Sequence, residues 1–199
     1  MLRDAPAILA VRAAVVAIGL PIGLPEPGPD YRRADLEARS FLGTWSARNA
    51  VFFTPVRPVL AATTYPEAAE ISRRLTGMGL SKQTWNILDR VAEADDALGA
   101  LPYARVIEVH PEVSFRLLDE RIDVSKQTAR GVGQRIAALA TCFDMTDALT
   151  DVPAGPGLDD CLDAWSAQRW MPRTARVLGL YADGNTSTDA LGRPMRMVA

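Results

Sequence analysis

The chain has 199 residues and a formal net charge of −2, with an apolar share of 48% and a charged share of 23% that are ordinary for a folded globular protein. This charge excludes a globally basic nucleic-acid binder, so any such binding would need a local basic patch. One histidine, His110, excludes zinc sites built on two or more histidines. Cys142 and Cys161 are too few for a disulfide framework and are expected to be reduced thiols in the cytoplasm.

The first apolar stretch, AAVVAIGLPIGLPEPG at Ala13–Gly28, is expected to lie inside the fold. Its uninterrupted part falls short of the roughly 20 apolar residues of a membrane-spanning helix, and the preceding charges do not suit a signal peptide. We predict a short helix over Asp4–Ala10 and then a buried strand from Ala14 to about Leu20. Pro21 ends this strand because proline cannot donate to a central ladder.

The following region is predicted to be mainly helical up to about residue 98. Asp30 and Gly43 are expected as the N-cap and the stop of its first helix, and a proline-punctuated extended segment follows. Thr64 opens a capping box before the next helix. Ser81 caps a longer amphipathic helix that is expected to run without a break to about residue 98.

The second half of the chain is predicted to contain both strands and helices. YARVIEVHPEVSF predicts a second apolar strand, and a helix follows whose first half Gly131 and Gly133 should weaken. LDDCLDAWSAQRW predicts the last helix, before a turn-rich tail that ends in an edge strand. Strands alternating with helices predict an α/β protein with a parallel or mixed sheet.

The second strand carries the first candidate site residues. Glu108, His110 and Glu112 are spaced to share one strand face, although Pro111 is expected to end the ladder and turn Glu112 away. A carboxylate among apolar neighbours is costly to bury unless a cation or donors meet it. Glu108 is therefore either a functional carboxylate, or one bonded to an arginine or placed at a solvated strand end.

The last helix carries the second candidate group. Asp159 and Asp163, and likewise Asp160 and Asp163, are spaced to lie on one helical face. Asp159 can be an N-cap whose neighbours complement the helix dipole. Alternatively, these carboxylates bind Mg²⁺, which prefers oxygen ligands.

Arginines give the first half a mild basic bias. These arginines could contact phosphates, although arginines more often lie on solvent-exposed faces of helices. The residues concerned are Arg32, Arg33, Arg39, Arg48, Arg57, Arg73 and Arg74.

Several segments, in order along the chain, resemble the bacterial family called domain of unknown function 429. They include IGLPIGLPE, VFFTPVRPVL, GLSKQTWNILDRVAEADD, VIEVHPEVSF and LDDCLDAWSAQRW. The family is described as predicted nucleases, so the resemblance implies a ribonuclease H-like α/β fold with a mixed sheet and packed helices. It further implies a single domain over 1–199, incomplete at its N-terminus, with a helical insertion at about 30–98.

The resemblance also implies which carboxylates meet. Glu108 is similar to the family's strand acid, and DDCLDA is similar to the pattern on the last helix of resolvases with this fold. Glu108, Asp160 and Asp163 are therefore expected as the catalytic residues and as ligands of Mg²⁺ or Mn²⁺. His110, Glu112 and Asp159 are secondary candidates.

Two departures from the family pattern bear on activity. Gly19 stands where the family has an acid, and the family's first strand, with its Gly-x-Asp-Gly-like motif, has no counterpart in this sequence. We expect weak or no activity for the chain as given, and we favour a translation start further upstream. Without that strand, the strand at Ala14–Leu20 would have an unpaired edge that invites homodimer formation.

Three functions remain open from the sequence. The leading one is a cytoplasmic, metal-dependent nuclease, a phosphodiester hydrolase acting on nucleic acid without a membrane partner. The second is a non-catalytic module that binds nucleic acid or a protein. The third is an enzyme acting on a small phosphorylated metabolite. Whether the chain is an enzyme is left undecided.

Overall fold

The structure is a computed structural model, and it describes Ala7 and the residues 11–43, 45–99, 105–152, 154–168, 176–180 and 182–198. The predicted helix Asp4–Ala10 lies outside these residues except for Ala7, which is helical. The described residues form an α/β fold in which helices pack around short strands.

Two short parallel strands lie at the centre of the fold. β1 (Val16–Ile18) pairs with β2 (Val106–Glu108), and Ile18 stands opposite Glu108. The predicted strand at Ala14–Leu20 is thus confirmed in its middle. Because the pair is parallel, the chain must cross over between the two strands, and the helical region provides this connection.

Nine α-helices lie in the described part of the chain. They are α1 (Arg33–Leu42), α2 (Trp45–Arg48), α3 (Tyr65–Thr76), α4 (Lys82–Asn86), α5 (Leu88–Gly99), α6 (Pro111–Leu118), α7 (Ala129–Leu139), α8 (Met145–Thr150) and α9 (Leu158–Gln168). The segment predicted as extended contains two short helices, α2 and a 3₁₀ helix at Arg57–Ala61.

The first helix does not start as the sequence suggested. Arg32, not Asp30, occupies the N-cap of α1, and its side chain makes no capping bond because a guanidinium cannot accept a hydrogen bond from a backbone N–H. Gly43 ends α1 at a φ of 67°, and Thr64 and Ser81 cap α3 and α4 as predicted. The predicted single helix to residue 98 is divided in two at Ile87.

The second strand is shorter than predicted because a helix replaces its end. β2 stops at Glu108, and α6 begins at Pro111, whose fixed φ and missing N–H suit a first helical position. His110 takes the N-cap position without capping through its side chain. Glu112 therefore lies in the first turn of α6, which confirms that Pro111 turns it away from the strand.

α7 contains both glycines that were expected to weaken it. The N–H of Gly131 donates to the hydroxyl of Thr128, the N-cap, at 3.0 Å. A Cβ added at Gly131 would lie 2.0 Å from the carbonyl oxygen of Ser125, whereas one at Gly133 would meet nothing within 4 Å. Only Gly131 is therefore required, and it lets the loop before α7 pack directly on the helix.

The C-terminal strands close the fold. β3 (Val177–Leu178) and β4 (Met197–Val198) are antiparallel, and a parallel bridge joins Val198 to Val109, just after β2. The predicted strand in the tail is thus confirmed, but it is buried and paired on both sides.

Two arginines and two aspartates, of which Asp189 and Arg193 are buried, tie this C-terminal segment to the helices. Arg57 donates to Asp189 at 2.6 Å and also to Asp95, and Asp95 also accepts from Arg193. The N–H of Leu24 donates to the same oxygen of Asp189 at 3.3 Å. The loop after β1 is therefore fixed from the far end of the sequence.

None of the helices in the described part of the chain is both long enough and apolar enough to cross a membrane.

Candidate functional site

Glu108 is buried at the end of β2 and is held by one arginine. Arg32 Nη1 donates to Glu108 Oε2 at 2.6 Å, and Nη2 donates to Oε1 at 2.5 Å. The backbone N–H of Ile22 donates to Oε2 at 2.7 Å. Both side chains are almost fully buried, with 3% and 4% of Arg32 and Glu108 exposed. A charged carboxylate at this position is thus fully compensated by the protein itself.

Asp35 completes this buried cluster. It lies in the first turn of α1 and accepts from Arg32 Nε at 2.9 Å and from Nη2 at 2.6 Å. Its second oxygen accepts from the N–H of Thr54 at 2.8 Å. The prediction that Arg32 lies on a solvated face or contacts phosphate is therefore wrong, because its charge is needed between two buried carboxylates.

The electrostatics of the cluster follow from burial and charge pairing. Burial alone would lower the pKa of Arg32, but Asp35 and Glu108 outweigh that effect and hold the pKa of Arg32 above its ordinary value. Burial raises the pKa of Glu108, and the Arg32 guanidinium opposes this rise. The arginine is the fixed cation of the site.

A recess of about 70 Å³ lies beside this cluster, where the parallel strands end. Gly19, Arg32, Glu108 and His110 are among its lining residues. Gly19 has no left-handed backbone, and a Cβ added to it would meet no atom within 4 Å. The backbone at this position would therefore accept the acid that the family resemblance led us to expect there.

Lys126 neutralises two carboxylates of the last helix. Its ammonium lies 2.8 Å from Asp159 Oδ2 and 2.9 Å from Asp163 Oδ2. Burial raises the pKa of Asp163, and Lys126 opposes that rise. The other oxygen of Asp163, Oδ1, is buried and has no partner in the described part of the chain. Asp163 is thus constrained on one side only.

Asp160 belongs to a different surface. Its Oδ2 accepts from the N–H of Gly157 at 3.1 Å, which supports the start of α9. It lines an open groove together with Asp147 and Asp151, away from the residues that bind Lys126. The interpretation of Asp159 as an N-cap is wrong, because α9 already begins at Leu158.

The two secondary candidates near the strand also have partners. Arg135 Nη2 donates to Glu112 Oε2 at 2.7 Å, and only 1% of Arg135 is exposed. His110 Nε2 lies 3.3 Å from the carbonyl oxygen of Ala50. Burial lowers the pKa of His110, so its imidazole is neutral at pH 7.

The expected metal ligands do not fit Mg²⁺ or Mn²⁺ in this arrangement. Among the described residues, no three histidine, cysteine, aspartate or glutamate side chains are grouped so that they could hold a metal ion. Glu108 is saturated by Arg32, Asp163 is bound by Lys126, and Asp160 lines another surface. The structure brings Asp159 and Asp163 together, but it does not join them with Glu108 in one metal-binding group.

The cations that form ion pairs with the candidate site residues were not predicted from the sequence. Arg32 and Asp35 had a readable signal, since their spacing of three residues allows a salt bridge on a helix start. Lys126 and Arg135 had none, because their partners lie 37 and 23 residues away in the sequence.

Comparison with family models now decides the relationship that the motifs suggested. Residues 1–182 match the model described as "Protein of unknown function (DUF429)". The chain belongs to this family. The comparisons with curated proteins and with solved structures give no match. The DUF429 match extends through α9 and β3, so every candidate site residue discussed above lies within it.

Proposed function

We propose that this DUF429 protein is a nucleic-acid-binding member of the ribonuclease H-like nucleases whose phosphodiester cleavage is weak or absent. The observation that carries the proposal is the double salt bridge between Arg32 and Glu108. A carboxylate with both oxygens bound to a guanidinium offers a divalent metal ion little negative charge.

The rest of the site supports the same conclusion. Two-metal cleavage needs several carboxylates around the reacting phosphate. Here the acid expected at Gly19 is missing, and Lys126 competes with any cation for Asp159 and Asp163. Arg32 and Lys126 therefore supply fixed positive charges where the related enzymes are expected to hold metal.

The test compares cleavage by the wild type with cleavage by Lys126→Met. Branched DNA, an RNA–DNA hybrid and single strands are incubated with Mg²⁺ or Mn²⁺, with EDTA as the blank. We expect little metal-dependent cleavage by the wild type and an increase in Lys126→Met, because Asp159 and Asp163 lose their competing cation. Lys82→Met is the matched control, since Lys82 lies over the ring of Tyr65 and makes no contact with these aspartates.

Two outcomes would contradict this assignment. Rapid cleavage by the wild type that Glu108→Gln leaves unchanged would show that Glu108 has no role. Absence of nucleic-acid binding to the wild type at low salt would remove the proposed substrate class altogether.

A non-catalytic binding module is the second candidate, and an exposed basic pair favours it. Arg73 and Arg74 lie exposed in the last turn of α3, and neither makes an ion pair with a described residue. Such a pair can contact phosphates. Binding that falls steeply with salt, survives EDTA and weakens in Arg73→Ala/Arg74→Ala, without any cleavage, would establish this function.

The proposal includes a homodimer and a cytoplasmic location. Among the described strands, β1 pairs only with β2, so its other edge is available to a second copy of the chain. Neither Cys142 nor Cys161 forms a disulfide bond with a described residue, which suits a reducing compartment. Sedimentation equilibrium tests the dimer, and a monomer at all concentrations would exclude it.

A further inference from the structure

A cavity of about 320 Å³ lies between the segment after α2, helix α4 and the loop before α7. This volume is at the small end of the range for small-molecule sites, about 300–1,000 Å³. It has room for one nucleoside-sized molecule. Its polar lining includes Asn49, Gln83, Glu112, Lys126, Gln127 and Arg135.

Three carboxamides face the cavity. Gln83 and Gln127 come from two identical tetrapeptides, Ser-Lys-Gln-Thr at 81–84 and 125–128, each at the start of a helix. Neither glutamine side chain hydrogen-bonds to a described residue, and Asn49 uses only its oxygen, which accepts from Arg39 at 3.4 Å. A carboxamide offers a donor and an acceptor side by side, the pattern that pairs with the edge of a nucleobase.

A buried ion pair fixes the back of the cavity. Arg135 is 1% exposed and holds Glu112 Oε2, so that Glu112 Oε1 remains an acceptor without a described partner. The Nε of Arg135 is buried and likewise has no described partner. Glu112 Oε1 therefore offers a ligand one acceptor whose position is fixed by the ion pair.

The charges around the cavity disfavour phosphate. Lys126 is already bound by Asp159 and Asp163, and Arg135 is bound by Glu112. Asp123 adds a further negative charge to the lining. The net charge of the side chains around the cavity is therefore negative, which suits a neutral ligand with an amino group and repels an anion.

We propose that this cavity binds a single nucleobase that carries an exocyclic amino group, with the sugar at the mouth. The amino group would donate to Glu112 Oε1, and the carboxamides would pair with the remaining base edge. The inference rests on the proposed function, which would supply the base as an unpaired nucleotide of a nucleic-acid strand. A free nucleoside presents the same chemistry.

The experiment titrates the full chain by calorimetry with adenosine, cytidine, guanosine, uridine and their 5′-monophosphates. We expect the three amino-bearing nucleosides to bind more tightly than uridine, and we expect the 5′-phosphate to weaken binding. Gln83→Ala and Gln127→Ala should each weaken binding by about 2- to 10-fold, the usual worth of one neutral hydrogen bond. Asn86→Ala, an exposed carboxamide on the same helix as Gln83 but outside the cavity, should change nothing.

Three results would overturn the proposal. They are no saturable binding of any nucleoside, equal binding by the glutamine variants and the wild type, or binding that the 5′-phosphate strengthens tenfold or more. The last result would make the cavity a phosphate site.

Oligonucleotides separate this proposal from the proposed function. Single strands that bind the wild type and Gln83→Ala/Gln127→Ala equally would overturn the base cavity while leaving nucleic-acid binding intact. Nucleoside binding that the glutamine variants weaken, with no binding of any oligonucleotide, would support the cavity and overturn the proposed function.

Discussion

Arg32 and Glu108 are 76 residues apart in the sequence, yet both oxygens of the carboxylate bind the one guanidinium at 2.5 and 2.6 Å. The pair joins the N-cap of α1 to the end of β2. Because Ile22 donates to the same carboxylate, the contact also fixes the turn after β1. It is at once a structural support and the reason why Glu108 is a poor metal ligand.

The first prediction concerns this pair. Arg32→Met should destabilise the protein by about 3–5 kcal/mol, because Glu108 and Asp35 are left buried without their cation. Urea unfolding at pH 7 measures the loss. Arg32→Met/Glu108→Gln should be more stable than the single variant, and a loss below about 1 kcal/mol in the single variant would mean that the pair is not buried as described.

Gly19 gives the second prediction. Gly19→Asp should fold like the wild type, since its Cβ meets no atom within 4 Å, and should bind Mn²⁺ about tenfold more tightly than the wild type, because it adds a carboxylate to a recess whose own carboxylates are held by Arg32. Calorimetric titration measures the affinity. Gly28→Asp is the control, because Gly28 is equally uncrowded but does not line this recess. An equal gain in both variants would refute a specific site.

The third prediction uses the two glycines of α7. Gly131→Ala should be strongly destabilising, because its Cβ would lie 2.0 Å from the Ser125 carbonyl oxygen and would displace the loop that lines the base cavity. Gly133→Ala should instead stabilise the protein by about 0.5–1 kcal/mol, the helix preference of alanine over glycine. Thermal unfolding should show a lower melting temperature for Gly131→Ala and a higher one for Gly133→Ala than for the wild type. Equal shifts in both variants would contradict the packing described.

His110 gives the fourth prediction. Burial lowers its pKa below 6.5 in the folded state, so between that lower pKa and 6.5 the unfolded chain binds more protons. Its contribution to stability is complete above pH 6.5 and is lost as the pH falls through this window. The difference in unfolding free energy between the wild type and His110→Gln should therefore decrease from about pH 7.5 to 5.

A direct readout of the same group is available because the chain has one histidine. The imidazole proton signals in an NMR titration must come from His110 and should show a midpoint below 6.5. A midpoint above 6.5 would mean that the ring is solvated or paired with a carboxylate.

Local patterns predicted much of the fold. The capping residues Thr64 and Ser81, the stop at Gly43 and the helix start at Pro111 act through neighbouring backbone groups, so the sequence alone reveals them. The break at Ile87 was missed because the apolar spacing continues across it.

The candidate site was less predictable because long-range pairing determines it. Two alternatives were open for Glu108, and the structure shows the one in which an arginine binds it. Nothing near Lys126 in the sequence indicates that it lies between Asp159 and Asp163. Whether Glu108, Asp160 and Asp163 ever act together in catalysis stays a prediction.

The position of β4 has a consequence for how the chain acquires its structure. Met197 and Val198 pair with β3 and bridge to Val109, although the family match ends at residue 182. The edge beside β2 therefore stays uncovered during synthesis until Met197 and Val198 have left the ribosome. A protein shortened at residue 182 would leave that edge permanently exposed, and we expect it to associate through this edge.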